Sequence, residues 1–308
     1  MTGIRITGWG IAVPDKVVTN DDMAVRLDTS NEWIVERTGI RQRHVGGTTS
    51  GLAIEAGQAA LASAGRSPGD IAHVVLATTT PDCIVPGTAP SVQHGLGIHG
   101  GAFDVNAACS GFVYGLITVA GLIAVGSGPV LLVGCDTLTR ITDMDDRKIA
   151  IIVGDGAGAV VVEPVDGPGS LLSWHMKSDG SLKHLLKCEH GGTLYMDGKE
   201  VFRRAVRVVV DSAEQAMADA GLSADDITLM VPHQANVRII HAACQRLGIP
   251  EERTVVVIDR YGNTSSASVP LALHDAIADG RVHDGDTLLL TGFGGGMTWA
   301  SAVLRWNG

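Results

Sequence analysis

Three residues whose side chains together can make and break a thioester stand out in this chain. They are Cys109 in Ala107-Ala108-Cys109-Ser110-Gly111, His233 in Val231-Pro232-His233-Gln234-Ala235-Asn236, and Asn263 in Tyr261-Gly262-Asn263-Thr264-Ser265-Ser266. Cys109 falls between an apolar strand and an apolar helix. It is therefore expected at a helix N-terminus, where free N–H groups and the macrodipole favour thiolate over thiol. A thiolate attacks an acyl carbonyl, while His and Asn donate hydrogen bonds to an oxygen that becomes negative. Each residue alone has an ordinary reading: a small buried Cys, a satisfied His at a strand end, an Asn in a turn. Their placement relative to an internal repeat argues for chemistry.

The repeat appears at an offset of 156 residues, where ALASAGRSPGDIAHVV (60–75) and AMADAGLSADDITLMV (216–231) share 8 of 16 positions. The order of elements repeats as well. Each half reads as helix, strand, Leu-Gly-Ile (96–98 and 247–249), strand (101–105 and 254–258), turn, helix (109–126 and 264–279) and strand (129–133 and 286–290). Neither copy can cover its own sheet. Two similar α/β halves packed about a pseudo-two-fold axis are predicted, divided near the Pro and Gly cluster at 164–169 into residues 1–168 and 169–308. The equivalent turns, carrying Cys109 on one side and Asn263 on the other, then face each other. At the N-terminus a strand over Gly3–Trp9 leads to a helix over Asn20–Leu27 capped by Asn20. A second helix opens at Asp28-Thr29-Ser30-Asn31-Glu32-Trp33.

Composition narrows the class. The 308 residues carry 40 Gly and only 12 aromatic side chains (5 Trp, 3 Tyr, 4 Phe), so the core rests on small and branched aliphatic residues with close backbone approaches. A net charge of −10 argues against general attraction to nucleic acid or anionic membrane. The charge-free run between Asp104 and Asp136 exceeds a membrane span, but Gly121, Gly126, Gly128 and Pro129 cut it into a buried helix and a buried strand. Five cysteines, without a C-x-x-C pair or a secretory leader, read as reduced cytoplasmic thiols. Cys83, Cys135, Cys188 and Cys244 are assigned no chemistry. Gly154-Asp155-Gly156-Ala157-Gly158 precedes a strand over Ala159–Val162 and reads as a tight turn, not a dinucleotide fingerprint. His184, Cys188 and His190 lack zinc spacing, so no metal is expected.

The chain resembles the thiolase-fold condensing enzymes, and among them the β-ketoacyl-acyl-carrier-protein synthase III family, over essentially its whole length. The resemblance is carried by Asp28–Ile34 with Arg37-Thr38-Gly39-Ile40, Ala107–Phe112, Gly154–Ala159, Pro232–Asn236, Gly262–Ser266 and Phe293–Thr298. Chalcone-synthase-like enzymes share a Cys-His-Asn set, whereas elongating synthases resemble a Cys-His-His set, so Asn263 points toward the initiating branch; the second catalytic Cys of thiolases has no counterpart here.

The resemblance implies a layered α-β-α-β-α fold, a homodimer that buries a sheet edge, and decarboxylative condensation of an acyl-CoA primer with malonyl-acyl carrier protein through acyl-Cys109. CoA is then a substrate and no cofactor is expected. His233 and Asn263 would stabilise the enolate, and the N–H groups of Cys109 and Gly295 would form the oxyanion hole. Trp33 would stack on adenine, Arg37 and Arg147 would meet phosphates, and Thr29, Gly198, Phe202, Ala235, Asn236 and Arg238 would line the pantetheine tunnel. Val85 and Phe112 are expected at the acyl pocket. Arg203, Arg204, Arg207, Arg238 and Arg246 are expected to dock the carrier protein. Ser181–Leu194 is short for the family, Asn106 replaces a small residue, and Val85 stands where an aromatic ring often closes the pocket. Transfer of the acyl group to a hydroxyl or amine, or a non-catalytic acyl- or CoA-binding module, are the alternatives.

Overall fold

A computed structural model describes residues 2–307. The first half contains β1 (Thr2–Ala12), β2 (Val17–Thr19), α1 (Asn20–Ala24), α2 (Asn31–Thr38), β3 (Gln42–His44), α3 (Thr49–Ala64), β4 (His73–Ala77), α4 (Ala89–Leu96), β5 (Gly101–Val105), α5 (Gly111–Ala124), β6 (Val130–Thr137), α6 (Arg147–Ala150) and β7 (Asp155–Asp166). Then follow β8 (Leu171–Ser178), β9 (Leu186–Lys187), β10 (Tyr195–Met196), α7 (Gly198–Asp219), β11 (Leu229–Pro232), α8 (Val237–Leu247), α9 (Ile258–Tyr261), α10 (Ser268–Ala278), β12 (Thr287–Gly294) and β13 (Thr298–Arg305).

Two sheets organise these elements, one in the order β1-β7-β6-β4-β5 and the other β11-β12-β13-β8. In the first, β4 runs parallel to β5 and β6, and β7 is antiparallel to β6 and β1. In the second, β11 and β12 are parallel and β13 is antiparallel to its neighbours. A central core unites α5 and α10 residues, among them Phe112, Leu116, Val269 and Leu273, with side chains of both sheets. On the outer face of the first sheet, α3 and α4 bury Ala53, Ala56, Ala60 and Val92. On that of the second, α7 and α8 bury Val206, Val209, Ala213, Ile240 and Ala243. These five layers are the α-β-α-β-α arrangement expected. The helix α5, buried along Gly111, Phe112, Val113, Gly115, Leu116 and Val119, is apolar because it lies between two sheets. Among the described residues no helix is long and apolar enough to cross a membrane.

Several local readings need correction. The cap of α1 is Thr19, whose side chain accepts from Asp22 N–H, and the helix ends at Ala24. The side chain of Asn20 instead donates to Ile40 O and Asn31 Oδ1. The Gly154–Gly158 segment is no turn: β7 begins at Asp155. Its glycines admit neighbours, since a Cβ on Gly154 would lie 2.3 Å from Tyr261 O and one on Gly158 2.7 Å from Pro270 Cβ. The strand expected over 254–258 is reduced to a single bridge, Thr254 to Met230, and Ile258 already opens α9. The Gln234 side chain takes the backbone groups a ladder would have used, donating to Val255 O and accepting from Val257 N–H.

Phe112 is fully buried in the central core and lines neither of the large cavities described below, contrary to its expected place at an acyl pocket. Phe112→Ala is therefore expected to cost about 3–5 kcal/mol of stability. Urea unfolding reads this loss; a variant of unchanged midpoint would contradict the core assignment.

Candidate active site

Cys109 lies in the turn from β5 to α5, two residues ahead of Gly111, with Ser110 as the helix cap. Its predecessor Ala108 has φ +48°, a left-handed conformation uncommon for a residue with a Cβ. The end of β12 presses on this turn. A Cβ on Gly294 would lie 2.4 Å from Cys109 N, so only glycine lets that strand pass. Cys109 is half-buried and lines two cavities.

His233 follows β11 and is buried, with its ring edge against Phe293 at a centroid distance of 5.3 Å. Its Nδ1 is 2.6 Å from Ser268 Oγ, which also accepts the Gln234 N–H at 3.2 Å. Nδ1 is the only acceptor for the Ser268 hydroxyl proton among the described residues. The hydroxyl therefore donates to Nδ1, and the ring proton resides on Nε2. Burial lowers the His233 pKa to about 3, keeping the ring neutral.

Asn263 is pinned by its own backbone: its N–H donates to Ile152 O at 2.8 Å, and its carbonyl accepts from Gly154 N–H at 2.9 Å. Its Oδ1 accepts the Ser265 N–H at 2.9 Å, which leaves the Nδ2 amide for the cavities that Asn263 lines. Thiol, imidazole and amide do converge: all three line the larger cavity.

The sulfur does not meet the expectation of a readily formed thiolate. Burial pushes the Cys109 thiol up to about 12, and the nearby Asp136 charge adds to the rise. A hydrogen bond from Ser265 and the Cys109 amide oppose it. Asp136, fully buried at the end of β6, accepts from the Thr78, Thr79 and Thr80 hydroxyls and the Thr79 and Thr80 amides through Oδ1. Its Oδ2 accepts both the amide and hydroxyl of Ser266. Sequence reasoning missed this carboxylate and both Ser265 and Ser268; the serine-rich run 264–268 was the available signal.

The larger cavity, about 740 Å³, is lined by Trp33, Arg37, Gly198, Phe202, Ala235, Asn236 and Arg238 among others. Lys148 and Lys199, not anticipated, line it too. Ser30 caps α2 through Trp33 N–H, and the Arg37 and Arg147 guanidinium groups each stand 5.1 Å from the Trp33 ring centroid. Thr29 and Arg147 are absent from the lining; Arg147 bonds Asp28 instead. The smaller cavity, about 400 Å³, joins Cys109, Asn263 and Gly295 to Leu138, Ile141, Ile149, Val153, Leu194 and Met196. Val85 lines neither cavity and is 84% exposed. Arg203 and Arg207 pair with Glu200 and Asp211 on α7, Arg204 is half-buried, and Arg238 and Arg246 are exposed on α8. His184, Cys188 and His190 lie on the segment around β9, and all three are exposed.

Comparison with known proteins places the sequence and the fold in a family. Family models described as 3-oxoacyl-[acyl-carrier-protein (ACP)] synthase III and its C-terminal part match residues 103–180 and 217–306. The chain is 48% identical to the β-ketoacyl-[acyl-carrier-protein] synthase III of Roseiflexus castenholzii over 98% of both chains. It superposes on the crystal structure of 3-oxoacyl-[acyl-carrier-protein] synthase III from Aquifex aeolicus with a TM-score of 0.97, at 42% identity, over 99% of this chain and 100% of the other. A priming β-ketosynthase from a polyketide biosynthetic pathway gives 0.94 at 37% identity, over 99% and 96%. On sequence and fold, this chain belongs to the β-ketoacyl-acyl-carrier-protein synthase III family of acyl-transferring condensing enzymes.

Proposed function

We propose that the chain condenses an acyl-CoA primer with malonyl-acyl carrier protein through a thioester on Cys109. The observation that carries the reading is that Cys109 lines both cavities, with His233 and Asn263 presenting N–H donors to the larger one. In the first half-reaction the Cys109 sulfur attacks the primer carbonyl, the bond from carbonyl carbon to CoA sulfur breaks, and CoA leaves with a proton. The N–H groups of Cys109 and Gly295 would hold the oxyanion. In the second, the bond from malonyl to carboxylate breaks and CO₂ leaves. His233 Nε2–H and Asn263 Nδ2–H then hold the enolate oxygen while its carbon attacks acyl-Cys109; the new carbon–carbon bond forms, the acyl carbon–sulfur bond to Cys109 breaks, and the sulfur leaves as thiolate and regains a proton.

Trp33, Arg37, Lys148 and Lys199 would bind the nucleotide end of CoA, with Arg147 and Thr29 at its margin. Gly198, Phe202, Ala235, Asn236 and Arg238 would follow the pantetheine arm. Arg238 and Arg246, with Arg203, Arg204 and Arg207, form the basic surface proposed for an acidic carrier protein. We read the protein as a cytoplasmic homodimer without a cofactor, its halves dividing at 168/169, with Val85 reaching the partner's acyl cavity. Incubation with acetyl-CoA and malonyl-carrier protein tests the reading: CO₂ and a 3-oxoacyl product support it, whereas acylation without condensation favours transfer to a hydroxyl or amine.

Cys109→Ser is expected to abolish the acyl adduct seen by mass spectrometry, because a hydroxyl forms no comparable anion. His233→Ala and Asn263→Ala should each slow malonyl decarboxylation by about 10²–10³, with acylation less affected. An adduct on another cysteine, or equal loss of both half-reactions, contradicts these roles.

The lowered His233 pKa fixes a pH dependence. Depression from 6.5 to about 3 means that the folded ring stays neutral throughout the range where an ordinary imidazole titrates. Decarboxylation should therefore show no inflection near pH 6.5. As pH falls from 6.5 towards 3 the unfolded chain gains a proton that the native site refuses, so stability contributed here declines, by up to about 1.4 kcal/mol per pH unit. An inflection near 6.5 that disappears in His233→Gln would contradict the neutral assignment.

Primer length follows from the smaller cavity. With aliphatic walls and Val85 as the proposed closing residue, propionyl, butyryl or branched primers should be used at least as well as acetyl. Each added CH₂ is worth about 0.8 kcal/mol when buried, a few-fold in kcat/KM. A series from acetyl- to octanoyl-CoA, repeated on Val85→Phe, checks this. A steady decline from acetyl, the same in both proteins, would contradict it.

A further inference from the structure

Ala108 and Ser265 are the only non-glycine residues with positive φ among those described, at +48° and +52°. Each sits in the turn that leads into the central helix of its own half, Ala108 ahead of α5 and Ser265 ahead of α10. The strained position therefore needs no particular side chain: in the first half it carries a methyl group. In the second it carries a hydroxyl that is 1% exposed and whose single hydrogen-bond partner among the described residues is the Cys109 sulfur, at 3.3 Å. A buried hydroxyl spends its proton where it is aimed. We propose that Ser265 is a further catalytic residue, donating its hydroxyl proton in a hydrogen bond to the Cys109 sulfur and stabilising the thiolate that attacks the primer.

This inference rests on the reading of Cys109 as nucleophile. In that step the Cys109 proton is lost, the carbon–sulfur bond to the enzyme forms, the bond to CoA sulfur breaks, and the departing CoA sulfur gains a proton. Ser265 transfers none; its hydrogen bond strengthens as charge develops on Cys109. Other titratable groups belong to the same site. Asp136 on β6 opposes the anion, His233 beyond β11 is neutral, and Lys187, the last residue of β9, and Cys188 after it line the smaller cavity. None of them is hydrogen-bonded to the Ser265 hydroxyl. The Ser265 N–H, which holds Asn263 Oδ1, survives substitution of the side chain.

Ser265→Ala and Ser265→Gly separate the hydroxyl from the backbone, Ala because Ala108 tolerates the same φ and Gly because it relieves it. The readouts are the rate of iodoacetamide alkylation of Cys109 against pH, single-turnover acylation by acetyl-CoA, and CO₂ release from malonyl-carrier protein. Both variants should alkylate about tenfold more slowly than wild type at each pH between about 7 and 9, as a thiol pushed up by about one unit requires, and acylate more slowly at pH 7, with CO₂ release within about twofold of wild type. Wild-type profiles in both variants would overturn the role. So would recovery in Gly but not Ala, which would assign the effect to strain, or equal loss of acylation and CO₂ release, which would assign it to a displaced turn. If the wild-type protein itself takes no acyl group on Cys109, it is the underlying functional reading that fails.

Discussion

One buried carboxylate ties the two halves together. Asp136 ends a β6 strand buried at every position, and its charge has no Lys or Arg partner among the described residues. Burying an uncompensated charge costs several kcal/mol, so such a group is retained only where fixed donors replace water. Here they come from Thr78–Thr80 beyond β4 and from Ser266, in the turn that carries Asn263. The second half's turn thereby registers against the sheet of the first. The same charge raises the Cys109 thiol, so the constraint that organises the site also works against its proposed nucleophile.

Duplication explains why the site lies where it does. Two related turns meet across the central helix layer, and each has diverged at the same bend. The first presents a sulfur; the second presents an amide and a ring of hydroxyls. Glycines allow this proximity. A Cβ on Gly134 would lie 2.4 Å from Ser266 O, and one on Gly294 would strike the Cys109 amide. The scarcity of aromatic side chains in the sequence has the same origin: layers this close leave little room for rings.

Much of this was legible because strand ends and helix starts announce themselves. Cys109, His233 and Asn263 sit at such junctions, and the offset repeat related the turns. What escaped were groups acting through neighbours distant in sequence. Asp136 reads as the polar end of an apolar strand, since its donors come from segments 56 and 130 residues away. Nothing in a run of serines distinguishes Ser265 and Ser268, which bond Sγ and Nδ1, from Ser266, which bonds a carboxylate. Phe112, expected at the acyl pocket from the family resemblance, instead points into the core, since a helix turns each successive side chain by about 100° and carries Phe112 away from the cavities that Cys109 lines. Three valines at 255–257 read as a strand, yet the Gln234 side chain takes Val255 O and Val257 N–H, and only the Val255 N–H bonds β11, at Met230 O.

The two cavities meet at Cys109 but differ in what reaches them. The larger runs past Trp33, Arg37 and Arg238, all polar or aromatic; the smaller is walled largely by aliphatic side chains. A group seated in the smaller cavity and attached to the sulfur leaves the larger one empty again. In the proposed reaction both long carriers would use that larger cavity, so the second would wait for the first to depart. The order of events would then follow from two carriers sharing one groove, with no moving gate required to enforce it.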